Sequence, residues 1–154
     1  MKTTLFTISL VAIVFNVSSQ KKTDVPANVK SAFTSAYPEA KSASWEMEDA
    51  MYEAEWKQYG IETSVLYNAS AALVQTETEI PVSELPAKVS DYVKQSLGGK
   101  KISEATRIVA ATRAITFEAE VGKVDYIFDA DGNLLRREAE EEEDDDDDEN
   151  GEED

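Results

Sequence analysis

The chain has 154 residues, is 42% hydrophobic and carries a formal net charge of −17, with no cysteine and no histidine. That length gives one ordinary domain once both ends are set aside, and the missing residue types exclude disulfides, Cys and His nucleophiles or bases, and the zinc sites built on them. Acidic residues outnumber basic ones 32 to 15, which is the wrong sign for phosphate recognition, so no nucleic-acid partner is expected.

Residues 1–19 read as a secretory signal peptide. Lys2 supplies a thin basic region, and residues 5–17 form an apolar run broken only by Thr7, Ser9 and Asn16. The run falls short of the ~20 residues a spanning helix needs, so a retained anchor or a buried helix is the weaker reading. Val17 and Ser19 stand where small residues precede a cleavage site, which puts the cut before Gln20 or just after it. A polar linker, residues 20–24, follows, and no cysteine is present to carry a lipid anchor. The mature protein is therefore expected in the periplasm or secreted, without membrane attachment after cleavage.

Pro26 followed by residues 27–36 predicts a helix, with proline at its start where the missing N–H costs nothing. Val29, Ala32, Phe33 and Ala36 recur at helical spacing as its buried stripe, and Tyr37 and Pro38 stop it. Four strand signals come next. Ala43, Trp45 and Met47 alternate with polar residues, and Asp49 and Ala50 turn the chain into Tyr52, Glu53, Ala54, Glu55 and Trp56, where three apolar residues enclose two glutamates. After a turn at Gln58, Tyr59 and Gly60, residues 61–67 form a third strand. Residues 73–80, rich in threonine and glutamate, read as an edge strand that closes the set.

The pattern then restarts. Leu85, Pro86, Ala87, Lys88 and Val89 echo Val25, Pro26, Ala27, Asn28 and Val29 at an offset of 60, opening a second helix that runs to about Leu97, with Ser83 as its expected cap and Gly98 and Gly99 as its end. Strands are expected at residues 102–110, 114–121, 124–128 and 134–137. Phe117, Glu118, Ala119, Glu120 and Val121 repeat the earlier glutamate-bearing stretch at an offset of 65, and the turn Asp129, Ala130, Asp131, Gly132, Asn133 aligns with Asn68, Ala69, Ser70, Ala71, Ala72 at 61. The domain thus divides into repeat one, residues 25–80, and repeat two, residues 85–137. Residues 138–154 hold 14 acids and no base, leaving 18 acids against 15 bases elsewhere. So acidic and so poor in apolar side chains a segment cannot offset the entropy of ordering and is expected to be disordered.

Glu53, Glu55, Glu118 and Glu120 sit two apart on their strands, so each pair points to one face. They would form an acidic patch if their strands lie near each other, and otherwise a solvated outer face. Tyr52, Trp56, Phe117 and Trp45 share the parity of Ala54 and Ala119 and read as core. Tyr59 and Tyr126 are candidates for an aromatic contact surface, because residues 61–67 and 124–128 are apolar at both parities. Asp129, Asp131 and Gly132 resemble a fragment of a calcium loop, but the flanking helices and the closing glutamate are missing, which leaves a hairpin turn. Asn68, Ala69, Ser70 matches a glycosylation acceptor in form only. The sequence contains neither a glycine-flanked serine elbow nor a Ser-x-x-Lys motif, so no catalytic residue, cofactor or metal site is assigned.

The signal peptide, the helix opening with Val25 and Pro26, the strands carrying Trp45, Glu46 and Tyr52–Trp56, and the repeat ending in Asp129–Gly132 before Leu134 together resemble the bacterial PepSY-like family, over about residues 25–137. The first copy departs from the pattern at Asn68, Ala69, Ser70 and Ala71, where Asp and Gly would be expected. The resemblance implies an α+β fold similar to beta-lactamase inhibitory proteins: tandem helix-plus-four-strand repeats, with two helices on one face of an antiparallel sheet. It further implies export and a role in binding or restraining another protein, and it brings no catalytic residues. The expected function is non-catalytic protein or peptide binding through the exposed sheet face, as a monomer or, through an unpaired edge strand, a dimer. The alternative is a periplasmic cation-binding or envelope-structural protein that uses the acidic face and tail, the tail holding calcium at most loosely.

Overall fold

The computed structural model describes residues 24–48 and 50–139, and within them two helices and eight strands follow one another as two copies of one unit. Helix α1 is Ala27–Ala36 and α2 is Ala87–Ser96. Pro26 and Pro86 hold their N-cap positions, with φ of −57° and −52°, and neither helix start has a side-chain cap. The expected Ser83 cap is therefore not made. Val82–Glu84 forms a separate 3₁₀ turn and Leu85 is extended, as the residue before a proline is driven to be, so the helix cannot begin before Pro86. The expected signal peptide, the turn residue Asp49 and the tail from residue 140 onward, with its loose calcium binding, lie outside the described residues.

Strands β1 (Ser44–Glu48), β2 (Met51–Gln58), β3 (Ile61–Tyr67) and β4 (Leu73–Glu79) belong to the first unit, and β5 (Glu104–Ala110), β6 (Ile115–Glu120), β7 (Val124–Asp129) and β8 (Leu134–Ala139) to the second. All pair antiparallel in the order β1 to β8, forming one continuous sheet. The strand at residues 73–79, expected at an edge, is instead central: β4 pairs with β3 on one side and with β5 on the other, from Gln75↔Ala110 to Glu79↔Thr106. Its threonines and glutamates signal a polar strand, and polarity here reflects the face rather than the edge.

The register separates two faces. Ala54, Val65, Thr76 and Val109 fall in one row across β2 to β5, and Ala105, Ala119 and Tyr126 in another across β5 to β7. Both helices pack on this side. Val29 and Phe33 of α1 meet Ala54, Trp56, Val65 and Tyr67, while Val89 and Val93 of α2 meet Ala105, Ala119, Val121 and Phe128. Ala54 and Ala119, matched in the repeat, are each 0% exposed. Their small side chains let a helix approach the sheet, and larger neighbours fill the remaining space: the Phe33 ring lies 5.1 Å from Trp45 and 5.5 Å from Trp56.

The corresponding hairpins repeat in detail. Asn68 Oδ1 accepts from the Ser70 and Ala72 amides, and Asp129 Oδ1 accepts from those of Asp131 and Asn133. In both, the fourth residue is left-handed, with Ala71 at φ 63° and Gly132 at φ 80°. Asp129 is thus committed to its turn, and these bonds, that from the Asn133 side chain first, hold its carboxyl below the usual range. A Cβ on Gly132 would sit 2.9 Å from Pro86 Cβ and 3.0 Å from Lys88 Cβ. Gly132→Ala is therefore expected to cost about 2 kcal/mol, whereas Ala71→Gly should gain about 0.5 kcal/mol by relieving its left-handed backbone against the entropy of an added glycine. Urea denaturation of the two variants checks this, and a loss at both positions would contradict it.

Candidate functional site

The sheet face away from the helices carries the glutamates. Glu46 pairs with Glu53, Glu55 with Ser64 and Ser64 with Glu77; further on, Glu104 pairs with Glu120, Glu120 with Asp125 and Asp125 with Glu138. Lys57 and Arg136 are the basic residues at strand positions of this face. Each is drawn to a carboxylate at the periphery: Lys57 Nζ lies 3.7 Å from Glu62, and Arg136 Nε 2.6 Å from Glu138.

Glu53 and Glu55 on β2 are separated from Glu118 and Glu120 on β6 by three strands, a span of roughly 19 Å at the usual strand spacing. These four alone would not form a patch. Glu77 on β4 and Glu104 on β5 join them. Glu77 is 7% exposed and lies within the electrostatic reach of both Glu53 and Glu118, and Glu104 faces Glu62, Glu120 and Glu79. The alternation of Gln75, Glu77 and Glu79 with threonines was the available signal for the missing link. It points to this site only once β4 is known to be central.

Crowding like charges in a poorly hydrated sheet interior favours their neutral forms. Burial first, then Asp125 and Glu77, pushes Glu118 up to about 9. Burial and then Glu53 push Glu77 up to about 7, against hydrogen bonds from Gln75 and Ser64. Burial, Glu62 and Glu53 raise Glu55 to about 7, and Glu53 and Glu104 are raised as well, burial leading in both. Gln75 Nε2 donates to Glu77 Oε1 at 2.6 Å, and Ser64 Oγ lies 3.5 Å from Glu77 Oε2. Glu53 also draws on Ser64, whose single hydroxyl hydrogen cannot serve both acids at once. Glu53 is 5% exposed and its Oε1 has no hydrogen-bond partner.

This face also holds Leu66, Ile108 and Ile127, all buried although both described helices lie on the other side. Ile108 on β5 and Ile127 on β7 pack together across β6. Strands two apart are separated by roughly 10 Å, so that contact requires the sheet to curl toward the acidic side. Between β2 and β5 the curl leaves a cavity of about 20 Å³ lined by Glu55, Glu62, Ser64, Glu77, Glu79 and Glu104. It has room for about one water-sized group, far below the volume of a small-molecule substrate site.

The aromatic candidates lie elsewhere. Tyr59 is 96% exposed at the tip of the β2–β3 hairpin, where it and Gly60, both at positive φ, form the two-residue turn. Tyr126 is on the helix side, buried in the second core with its ring 5.9 Å from Tyr92. It therefore has no place on the acidic face. Both parities of β7 are buried, so alternation alone could not say which side Tyr126 takes.

Two helices on one face of an eight-stranded antiparallel sheet, generated by a repeated helix-and-four-strand unit, define an α+β module of the beta-lactamase-inhibitory-protein type. The family described as "Putative beta-lactamase-inhibitor-like, PepSY-like" matches twice, over residues 16–75 and 62–136, and the chain belongs to this PepSY-like family. Among solved structures, it is similar to a "putative periplasmic" protein from Bacteroides eggerthii (TM-score 0.66, 23% identity, covering 74% of this chain and 88% of that one). A DUF2874 family protein from Bacteroides uniformis is similarly related (TM-score 0.65, 22% identity, 73% and 88% covered). A BLIP-like protein from Bacteroides fragilis shares 26% identity at a TM-score of 0.56, with 77% and 88% covered. A comparison with curated proteins gives no match. The inhibitor-like family and fold favour a non-enzymatic module, and among the described residues no helix is long and apolar enough to cross a membrane.

Proposed function

We propose that this chain is an exported, non-catalytic module that binds a protein or peptide through the acidic face of its sheet. The observation that carries this reading is the division of the sheet: one face is covered by both helices, while the other is free of described helices and crowded with carboxylates. A broad, curled surface with a cavity of only about 20 Å³ suits contact with a macromolecule better than enclosure of a substrate. The apolar run at residues 5–17 and the likeness to a protein described as periplasmic support export. The glutamates would set specificity and encounter rate more than raw affinity. The cation-binding alternative is less supported, since among the described residues no three acids converge closely enough to hold a metal ion.

The test is to isolate partners from envelope extract with the native chain and then measure each purified partner by calorimetry against two variants. Glu79→Lys with Glu104→Lys inverts charge at exposed positions of the acidic face, and Lys30→Glu alters the helix side. The acidic-face variant is expected to lose at least tenfold in affinity, with the helix-side variant unchanged. The opposite pattern would overturn the assignment.

A further inference from the structure

We propose that a basic groove beside α2 receives residues 140–154, the acidic tail of the same chain. The groove is a cavity of about 520 Å³ near the C-terminal end of the helix, with Val93 and Ile102 as its floor, Val82 at its flank, and Lys94, Lys100 and Lys101 along its edge. No acid lines it. Among the described residues, none of these three lysines is held by a carboxylate in an ion pair.

The sequence builds this basic edge by turning the chain back on the helix. Gly98 and Gly99 follow α2 at φ 67° and 70°, left-handed positions that return Lys100 and Lys101 to the side of Lys94. The last-turn carbonyls, whose partial negative charge would oppose an anion, are engaged: Val93 O accepts from the Leu97 and Gly99 amides, and Leu97 O from that of Lys100. The first unit is an internal comparison. At the offset of 60 it has Thr34, Glu39 and Ala40 where the second has Lys94, Gly99 and Lys100, so the lysine cluster belongs to the unit that carries the tail.

Reach and charge select the occupant. β8 ends at Ala139, which pairs with Val124, and β5 begins just after Ile102 at the same end of the sheet, where Glu104 pairs with Glu120. Three strand spacings, roughly 14 Å, separate β5 from β8. The tail has 15 residues and spans up to roughly 50 Å, enough to round the end of α2 and lie along the groove. Of its residues 13 are acidic and none is basic. The other side of the sheet repels such a segment, because Glu104, Glu120, Asp125 and Glu138 stand there in one row. Each exposed lysine–carboxylate pair contributes little alone, but a tethered segment meets the groove at an effective concentration on the order of millimolar, and its many acids offer equivalent pairings. A tail seated on the helix side also stays clear of the acidic face.

The test uses the full chain, which has no cysteine, with Asn150→Cys carrying a nitroxide so that every tail acid is kept. In backbone-amide NMR, broadening is expected to be at least threefold greater at Ser90, Lys94, Gly99 and Ile102 than at Ser64, Glu77 and Thr106 of the acidic face. Lys94→Gln, Lys100→Gln and Lys101→Gln together, all at exposed positions, should cut the groove broadening at least threefold, as should raising salt from about 0.02 to about 0.5 M. Lys30→Gln with Lys41→Gln, in the first unit, should leave it unchanged.

Broadening that favours the acidic face, spreads evenly over both sides or survives the triple lysine variant would overturn the proposal. So would equal broadening of isotope-labelled, nitroxide-free chains mixed with unlabelled nitroxide-bearing ones, since the occupant would then be the tail of a second copy.

Discussion

Raising the pH from 5 to 9 is expected to destabilise this protein, and Glu118→Gln is expected to abolish much of that loss. In the unfolded chain a glutamate titrates near 4.5, whereas in the folded state Glu118 does so at about 9 and Glu77 at about 7. Between those values the folded chain holds protons that the unfolded chain has released, so stability falls with rising pH and the full penalty is reached above the folded pKa. At pH 5 the carboxyl is neutral in the fold and the substitution changes little. At pH 9 it removes a charge facing Asp125, Glu77, Glu104 and Glu138. Each pKa unit corresponds to about 1.4 kcal/mol, but part of the Glu118 shift comes from the charge on Glu77, so the contributions of the two acids do not add and a gain on the order of 3 kcal/mol is expected at pH 9. Urea denaturation of both proteins at pH 5, 7 and 9 measures it. A native stability that stays flat or rises over this range would contradict the burial of these acids.

Most of the fold was legible because its signals are local. Both helices begin beside a proline whose backbone constraint is written in its own residue, and the repeat showed in pairs such as Ala54 and Ala119 that keep one packing role in two places. The hairpin at Asn68 was legible despite lacking glycine, because Asn68 makes the same side-chain bonds as Asp129 and Ala71 accepts the left-handed backbone. What escaped was non-local. Nothing in residues 73–79 says that the second unit will pair with them, and without that pairing Glu77 looks like one more solvated glutamate. Similarly, the acidic face is assembled from strands as far apart as β1 and β8, so its membership follows from register between repeats rather than from spacing within either.

Phe128→Ala should cost about 3–5 kcal/mol, and the loss should be unevenly distributed. Phe128 is 0% exposed on β7, its ring 5.6 Å from Tyr92 of α2, and it shares the second core with Val89 and Ala119. Truncation removes the transfer free energy of the ring and leaves a cavity that the sheet backbone cannot close. A loss of this size is a large fraction of the total stability of a domain. The first core, built on Val29, Phe33, Trp56 and Val65, shares no buried residue with the second, and the sheet joins them through the β4–β5 ladder. Ladder hydrogen bonds transmit less of a packing defect than a shared core would, so the units should open with different free energies. Amide exchange is expected to lose protection most in β6 and β7, at Ala119 and Tyr126, and less in β2 and β3, at Ala54 and Val65. An equal loss across all four strands would show that the β4–β5 seam makes the two repeats a single cooperative unit.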